Sequence, residues 1–557
     1  MTTETAAAEG GGGSVFANTA FTVILVASAA SSIGAAMFDT ASSWLMTSLN
    51  PDPRMVSAVQ MAITLPMFLL TIPAGALADI ADPRKLLVVV QVFVAFVALA
   101  FAAAIWMGAH TPFLLLAATF FLGVGGALAA PAWQLIAPLL VPKAQLDRAI
   151  AVNCATYNVS RAVGPALGGV AIAAFGVDFP FWINGLSVIG IVLALIWWRP
   201  PPRVKETLPA ERFVNAVRSG IRFVRYNRDM DSTLIRTIAY FPFAGSFWAL
   251  LPLIARRQMH TGPEVYGALM GAIGVGSIAA SFGLGALKQR FNPNQLGAIA
   301  SLATAAAIAL FTAVQEPALA FSASVIGGAG WILMMTTLFM SVQVALPDWV
   351  RGRGLAIFLT VYFGGMTIGS ALWGEVAAVA GLPAALWISS LSVVLGLALT
   401  SRWKLQTAAG LDLTPSLHWG KPSIPPEYSD DQGPILVSIE YHIDPKNRPA
   451  FLEVMEEIRE LRMRAGAYAW KIFEDPVTAG RYVETCLVQS LLELKYSLTR
   501  MTNADRDIEG RAEPFSLGAP QPTYLVAAER DRPARRLFNL FEGRHGAHSH
   551  SGVGPAR

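Results

Sequence analysis

The sequence predicts an all-α membrane bundle of twelve transmembrane helices in a 6+6 pseudo-twofold repeat, followed by a small α+β cytoplasmic domain. Three observations lead there: a split in composition, a series of long apolar runs, and an internal repeat. The 557-residue chain is 54% hydrophobic and 14% charged, against about 25% charged for an ordinary soluble protein. From Val15 to Leu405, 37 of 391 residues are Asp, Glu, Lys or Arg, whereas from Gln406 to Arg557 the figure is 39 of 152. The first block lacks the charged skin of a water-soluble domain. The second has one.

A bilayer core about 30 Å thick needs about 20 apolar residues per helix. Twelve stretches qualify: 18–46, 55–78, 86–108, 112–140, 149–175, 179–198, 234–256, 264–287, 295–314, 317–345, 354–380 and 383–403. Pro and Gly punctuate many of them, which a bundle tolerates because neighbouring helices satisfy the freed backbone groups. Small residues such as Gly123, Gly125 and Gly126 allow close helix approach.

The Lys/Arg distribution sets the orientation. Arg84, Lys85, Lys143, Arg148, Lys288, Arg290, Arg351 and Arg353 follow even-numbered spans, and eight more arginines and lysines lie in the central loop. Only Arg54, Arg256 and Arg257 fall on the opposite side. Both termini, the central loop (199–232) and the soluble tail are therefore expected in the cytoplasm of a multi-pass inner-membrane protein. The basic excess sits in short loops, so it reads as topology and not as a nucleic-acid surface.

Residues 1–14 are acidic and Gly-rich, lack the basic start of a secretory signal, and read as a disordered leader. The central loop holds ERFVNAVRSGIRFVRYNRDM (211–230), where Phe213, Val217, Ile221 and Val224 recur at helical spacing. That predicts an amphipathic helix on the inner membrane face, or a plain linker helix between two halves. Cys154 and Cys486 form no disulfide framework or zinc motif. No phosphate-binding loop is present, which argues against direct use of ATP.

The two halves, 15–198 and 233–405, resemble each other without gaps at an offset of 205 residues over some 45 residues. Arg148-Ala-Ile-Ala-Val faces Arg353-Gly-Leu-Ala-Ile, Tyr157 faces Tyr362, and Gly164-Pro-Ala-Leu-Gly-Gly faces Gly369-Ser-Ala-Leu-Trp-Gly. Two parallel six-helix repeats joined by a long loop form a transporter architecture, with the halves rocking about a site near the midplane. On these features the sequence resembles the major facilitator superfamily. Gly75-Ala-Leu-Ala-Asp79-Ile-Ala-Asp82-Pro-Arg84-Lys85 is similar to that superfamily's loop signature at Gly75, Asp79, Arg84 and Lys85, and departs from it at Ile80 and Asp82. Gly164, Pro165, Gly168 and Gly169 resemble an exporter signature on the fifth span. WLMTSL (44–49), FWALLPL (247–253) and LPDWVRGR (346–353) resemble the bacterial transmembrane secretion effectors related to the enterobactin exporter. The resemblance implies that Asp79, Arg84 and Lys85 hold a gate state and make no substrate contact.

Ionisable groups at membrane depth are costly and mark functional candidates. Asp39, Arg161 and Glu375 lie inside predicted spans. Arg161 shares a helix face with Asn153, Tyr157 and Asn158, a polar stripe that must meet a wet cavity or a partner. It reads either as a contact for anionic or carbonyl groups of a substrate, or as a structural pair. Asp39, beside Thr40, Ser42 and Ser43, is the candidate proton carrier, the alternative being a pair with Arg161. Trp133, Gln134, Trp248, Trp331, Gln343, Tyr362 and Thr367 are further cavity candidates, since pockets for apolar substrates are aromatic-lined with few polar groups.

Residues 406–433 read as a linker. Beyond them, ILVSIEYHI (435–443), AYAWKIFED (467–475), RYVETCLVQS (481–490) and TYLVAAER (523–530) read as strands, with helices over 445–464 and 491–509. The order βαββαβ over 434–531 is a ferredoxin-like split unit. It resembles the antibiotic-biosynthesis-monooxygenase domains, which implies a homodimer through this domain. No convincing catalytic set appears; Trp470, Tyr482, Glu484 and Tyr496 face a small cavity at most. Residues 532–557 read as a basic, flexible tail. The expected function is export of amphipathic small molecules (a siderophore, natural product or drug) by proton-coupled alternating access, with no cofactor, metal, enzyme activity or nucleic-acid partner. The alternatives are a facilitator or importer on the same fold, or a membrane-tethered cofactor-free monooxygenase.

Overall fold

In the computed structural model, helix starts follow local capping chemistry. Asn18 accepts from the amides of Ala20 and Phe21 at the start of α1 (Thr19–Leu49). Asp52 and Asp82, each followed by Pro, cap α2 (Pro53–Ile80) and α3 (Pro83–Trp106) in the same way. A side-chain oxygen there satisfies amides that have no partner within the helix, and Pro at the first position gives up no hydrogen bond. Then follow α4 (Pro112–Ile136), α5 (Leu146–Phe175), α6 (Asp178–Trp197) and α7 (Phe213–Arg225). The segment Arg228–Gln258 comprises α8 (Arg228–Ala244), α9 (Ser246–Leu253) and a π-helical turn. α10 (Pro263–Arg290), α11 (Pro293–Ala313), α12 (Pro317–Ala345), α13 (Asp348–Ala380) and α14 (Leu382–Leu399) complete the bundle.

The structure describes residues 14–199, 213–313, 316–406, 412–416, 418–419, 425, 427–518 and 521–528. The leader expected before Ser14, the loop residues 200–212 and the tail expected over 532–557 lie outside them.

Among the described residues, eleven helical segments are long and apolar enough to cross a membrane. The span expected over 149–175 is a 30-residue helix, α5, but is not one of the eleven. Asp147, Arg148 and Arg161, with Asn153, Tyr157 and Asn158, dilute its apolar content. The offset of the repeat extends into backbone geometry. Gly176 ends α5 at φ +90° and Gly381, 205 residues on, ends α13 at φ +87°, a left-handed conformation that favours glycine.

The amphipathic pattern at 211–230 forms α7, and α7 packs on the start of α13. The Arg353 guanidinium donates to the Ser219 hydroxyl at 2.9 Å, and Phe223 meets Trp349 edge-on at 5.5 Å. Arg218, Ile221 and Arg225 stay exposed on the side away from these contacts.

The chain divides into two units: residues 1–416 together with Thr502–Arg506, and the remainder from Leu417 on. In the second, β1 (Ile435–His442), α15 (Arg448–Ala465), β2 (Ala469–Glu474), β3 (Arg481–Val488), α16 (Leu491–Arg500) and β4 (Pro522–Val526) build a four-stranded sheet with helices. The strand order is β2-β3-β1-β4, all pairs antiparallel, with Val437 opposite both Cys486 and Tyr524. Alternate residues of β1 (Ile435, Val437, Ile439, Tyr441) are buried with Phe451, Met455 and Ile458 of α15. The single helix expected over 491–509 is instead α16 and α17 (Asn503–Gly510). Thr502 and Asp505 cap each other reciprocally at the break, each backbone amide donating to the other's side chain, which starts a new helix.

Candidate transport site

α1 and α5 pack through glycine. Gly164 lies against Ile33 and Ala36, and Gly168 against Met37 and Thr40. This register puts Asp39 roughly two turns, about 10 Å, beyond Arg161 along the helices. Both are exposed within the bundle and form no salt bridge, though each feels the other's charge. Asn153, Tyr157 and Asn158 are exposed on the same stretch of α5. The Arg161 guanidinium lies 6.0 Å from the Tyr157 ring centroid. Its electrostatic partners include the phenols of Tyr157 and Tyr362, the two tyrosines that the 205-residue offset equates. At Arg161 itself the repeat partner is Met366, so the guanidinium has no counterpart on α13.

Tyr362 joins this polar group to an aromatic cluster of the second half. It meets Phe241 edge-on at 4.5 Å; Trp331 lies 5.3 Å from Phe241, 5.5 Å from Trp248 and 6.5 Å from Tyr362. Edge-to-face rings at these separations hold a rigid apolar wall. Gln134 on α4 and Gln343 on α12 are exposed; Trp133 is half-buried and, among the described residues, makes no ring contact with the cluster. Phe241 and Trp248 complete the wall; Trp248 is a cavity candidate from the sequence, whereas Phe241 reads there only as an apolar span residue.

Two seams close one end of the bundle. In the first, Gly169 and Pro165 of α5 press on Gly267 of α10, where a Cβ added to Gly267 would lie 2.6 Å from the Pro165 carbonyl oxygen. In the second, Thr367 of α13 donates to Thr64 of α2 at 2.9 Å, and Arg54 makes a two-toothed ion pair with Glu375 at 2.6 and 2.9 Å. Arg256 adds hydrogen bonds to Thr47 (2.9 Å) and Ser48 and lies 5.5 Å from the Trp44 ring, which stacks on Tyr266. The Arg54–Glu375 and Arg256 ties lie toward the end where α1 stops and α2 begins, and Thr64–Thr367 lies near the middle of α2. Toward the other end, α5 presents its polar stripe. Glu375, expected in the outer part of its span, is thus half of a tie across the seam.

The loop signature takes a different position. Arg84 donates to the carbonyls of Leu195 (2.8 Å) and Ile196 (2.7 Å), satisfying the end of α6. The Lys85 amide donates to Asp82 at 3.2 Å, and Gly75 faces open space. The side chain of Asp79 lies outside the description.

In the second unit, Glu484 is buried and accepts from Tyr441 (2.8 Å), Arg462 (2.9 Å) and Trp470 (2.9 Å). Tyr482 is buried beside Phe451, while Tyr496 lies under the Arg500 guanidinium at 5.1 Å. The four residues singled out here therefore do not form one site.

The sequence profile of the transmembrane secretion effectors matches residues 11–533. The multidrug efflux pump Tap of Mycolicibacterium fortuitum is 26% identical over 391 residues, covering 67% of this chain and 93% of that protein. The enterobactin exporter EntS of Shigella boydii is 26% identical over 269 residues, covering 46% of this chain and 59% of that protein. Among solved structures, a POT family transporter in complex with 5-aminolevulinic acid aligns with a TM-score of 0.56 at 12% identity, covering 69% of this chain and 95% of that one. An inward-facing bacterial homolog of the lysosomal transporter Spinster aligns with a TM-score of 0.52 at 14% identity, covering 69% of this chain and 97% of that one. At such identities these two likenesses speak for the fold alone. With the profile match spanning most of its length, the chain belongs to the transmembrane secretion effector family of major facilitator transporters.

Proposed function

We propose that this transporter exports amphipathic small molecules by alternating access, with proton antiport as the driving reaction. The observation that carries the reading is the asymmetry of the seams: backbone-tight glycine contacts and an ion pair close one end, while a polar stripe and an aromatic wall face each other beyond it. Export is supported by the multidrug efflux pump and the enterobactin exporter among its relatives. α5 crosses the membrane as the twelfth span, its polar face turned to the path, giving halves 15–198 and 233–405. The Lys/Arg bias supports cytoplasmic termini, which makes the open end cytoplasmic.

In this scheme Arg161, flanked by Tyr157 and Tyr362, meets an oxygen-bearing group of the substrate. Asn153, Asn158, Gln134 and Gln343 add polar contacts, and Trp133, Trp331 and Tyr362 the apolar ones. Asp39 takes up and releases the proton. Gly75, Asp79, Arg84 and Lys85 control the gate, and the small-residue set Gly164, Pro165, Gly168 and Gly169 lets α5 pivot against α1 and α10. The strand order and helix placement of the second unit support a ferredoxin-like fold, with pairing of two copies as its role.

The test is uptake of a substrate panel by everted vesicles with and without a pH gradient. Asp39→Asn is expected to abolish gradient-driven uptake while leaving downhill exchange. Arg161→Ala is expected to weaken the oxygen-rich members of the panel by about tenfold, a loss of about 1.4 kcal/mol. Full uphill transport by Asp39→Asn refutes the proton role, and an unchanged panel in Arg161→Ala refutes the substrate contact.

A further inference from the structure

Arg236, about two turns into α8, is a charge that the transport path does not use, and it is only 7% exposed. Its Nε donates to the Trp403 carbonyl at 2.8 Å, just beyond the end of α14. The guanidinium also lies against α11, where a Cβ added to Gly297 would stand 3.5 Å from Nη1. Among the described residues no carboxylate pairs with it, and neither Nη1 nor Nη2 makes a hydrogen bond. Asp229 precedes it on α8 by about two turns, or about 10 Å, and accepts instead from Gln406 at 3.0 Å.

At the last helix of the first half, Arg84 spends both Nε and Nη2 on the carbonyls that end α6. Arg236 spends only Nε. The end of α14 offers about half a negative charge, which leaves the guanidinium undercompensated. A buried charge of that kind is costly until a counter-charge reaches it. Arg236 borders a small cavity between α8, α11, α12 and α14, lined also by Tyr240, Ser301, Met334, Gly396 and Thr400. The Ser301 and Thr400 hydroxyls donate to the carbonyls of Gly297 and Gly396. The guanidinium therefore supplies both the charge of the cavity and its uncommitted donors. The space measures about 10 Å³, that of one body of water size.

We propose that this cavity binds a single halide ion, chloride in the cell, held by the Nη donors of Arg236. Charge selects an anion. Water satisfies donors but does not neutralise a guanidinium, and a hydrogen bond between charged partners is about twice as strong as a neutral one. Size selects the halide. Chloride is little larger than water, whereas phosphate, sulfate and carboxylate groups need several times the space. The ion ties α8 and α11 to the end of α14, three spans of the same half. The inference concerns the packing of that half and does not depend on what is transported or in which direction.

Chloride itself is the probe. The full-length chain is placed in nanodiscs of zwitterionic phosphatidylcholine, in gluconate buffer of constant ionic strength, and chloride is titrated in. Binding is read as excess broadening of the chloride magnetic resonance line, and stabilisation as the midpoint of thermal unfolding. The broadening is expected to saturate, to be reversed by bromide and to survive added phosphate. The midpoint should rise with chloride or bromide and not with phosphate. Arg236→Gln should lose both responses, whereas Arg402→Gln, at an exposed arginine beside Trp403, should keep them. Ser301→Leu fills the space without removing the charge. It should lose the broadening too, and it keeps the test decisive if Arg236→Gln does not fold. Chloride that behaves like gluconate, which would leave water alone in the cavity, overturns the assignment. So does broadening that persists in Arg236→Gln or Ser301→Leu, or phosphate that displaces chloride as well as bromide does.

Discussion

Gly267→Ala is the sharpest perturbation of the closed end. A Cβ at Gly267 would sit 2.6 Å from the Pro165 carbonyl oxygen, 2.7 Å from Gly169 Cα and 2.9 Å from Gly169 N. Comfortable carbon contacts are about 3.5–4.0 Å, so α5 and α10 must part by about 1 Å. The obstructing atoms are all backbone, and no rotamer change relieves them. Overpacking of this kind costs about 1–3 kcal/mol, charged only to the state in which the seam is shut. The equilibrium should therefore move about 5- to 150-fold toward the state open at this end. Spin labels at His110→Cys and Glu316→Cys, with Cys154 and Cys486 replaced, report the separation across that end by electron–electron resonance. Gly283→Ala on the same helix is the control, since nothing lies within 4 Å of its added carbon. A longer-distance population is expected in Gly267→Ala and not in Gly283→Ala. An unchanged distribution in folded Gly267→Ala, or the same shift in both, would refute the reasoning.

Two further outcomes follow from the ion pairs. Arg54 and Glu375 are about half exposed, so solvent screens them and the pair contributes about 0.2–1 kcal/mol to the closed end. Glu375→Gln should shift the same label distribution by about fivefold at most, and the charge swap Arg54→Glu with Glu375→Arg should restore it; a swap no better than the single variant would remove the pair from the gate. In the second unit Glu509 has a lowered carboxyl pKa in the fold: burial alone pushes it up, but Arg462, His418 and Trp419 outweigh burial. Its stabilising contribution is present above the unfolded value of about 4.3 and is lost as pH falls through the lower folded value. Unfolding of the full chain followed by near-ultraviolet dichroism should show that unit losing stability on acidification through this range, and less so in Glu509→Gln. Identical pH profiles would contradict it.

Much of this architecture is written in short-range patterns. Apolar runs of span length, the capping pairs Asp52-Pro53 and Asp82-Pro83, and the alternation of Ile435, Val437, Ile439 and Tyr441 are local features, and the elements form where they occur. The 205-residue offset reaches further, because Tyr157 and Tyr362 flank one guanidinium and Gly176 and Gly381 end equivalent helices. Pairings between distant segments were not legible. Arg54 and Glu375 are 321 residues apart, and read singly each is a charge near a membrane surface. Trp419, in a stretch rich in Pro and Ser, resembles linker sequence until Glu509 and Arg462 meet it in space. The break before α17 was legible in principle: Thr502 and Asp505 have the spacing of a reciprocal cap, which the apolar periodicity of the flanking helices masked. α5 is the opposite case, since the residues that weaken it as a span are those proposed to face the path.

The account rests on the two halves separating where they now touch. The Thr64 and Thr367 hydroxyl oxygens lie 2.9 Å apart across the α2–α13 seam, close enough for a disulfide between cysteines at those positions once the backbone adjusts slightly. In a chain without Cys154 and Cys486, Thr64→Cys with Thr367→Cys should transport when reduced, stop when oxidised, and recover with reductant. Transport that continues undiminished with the crosslink complete would contradict alternating access through this seam.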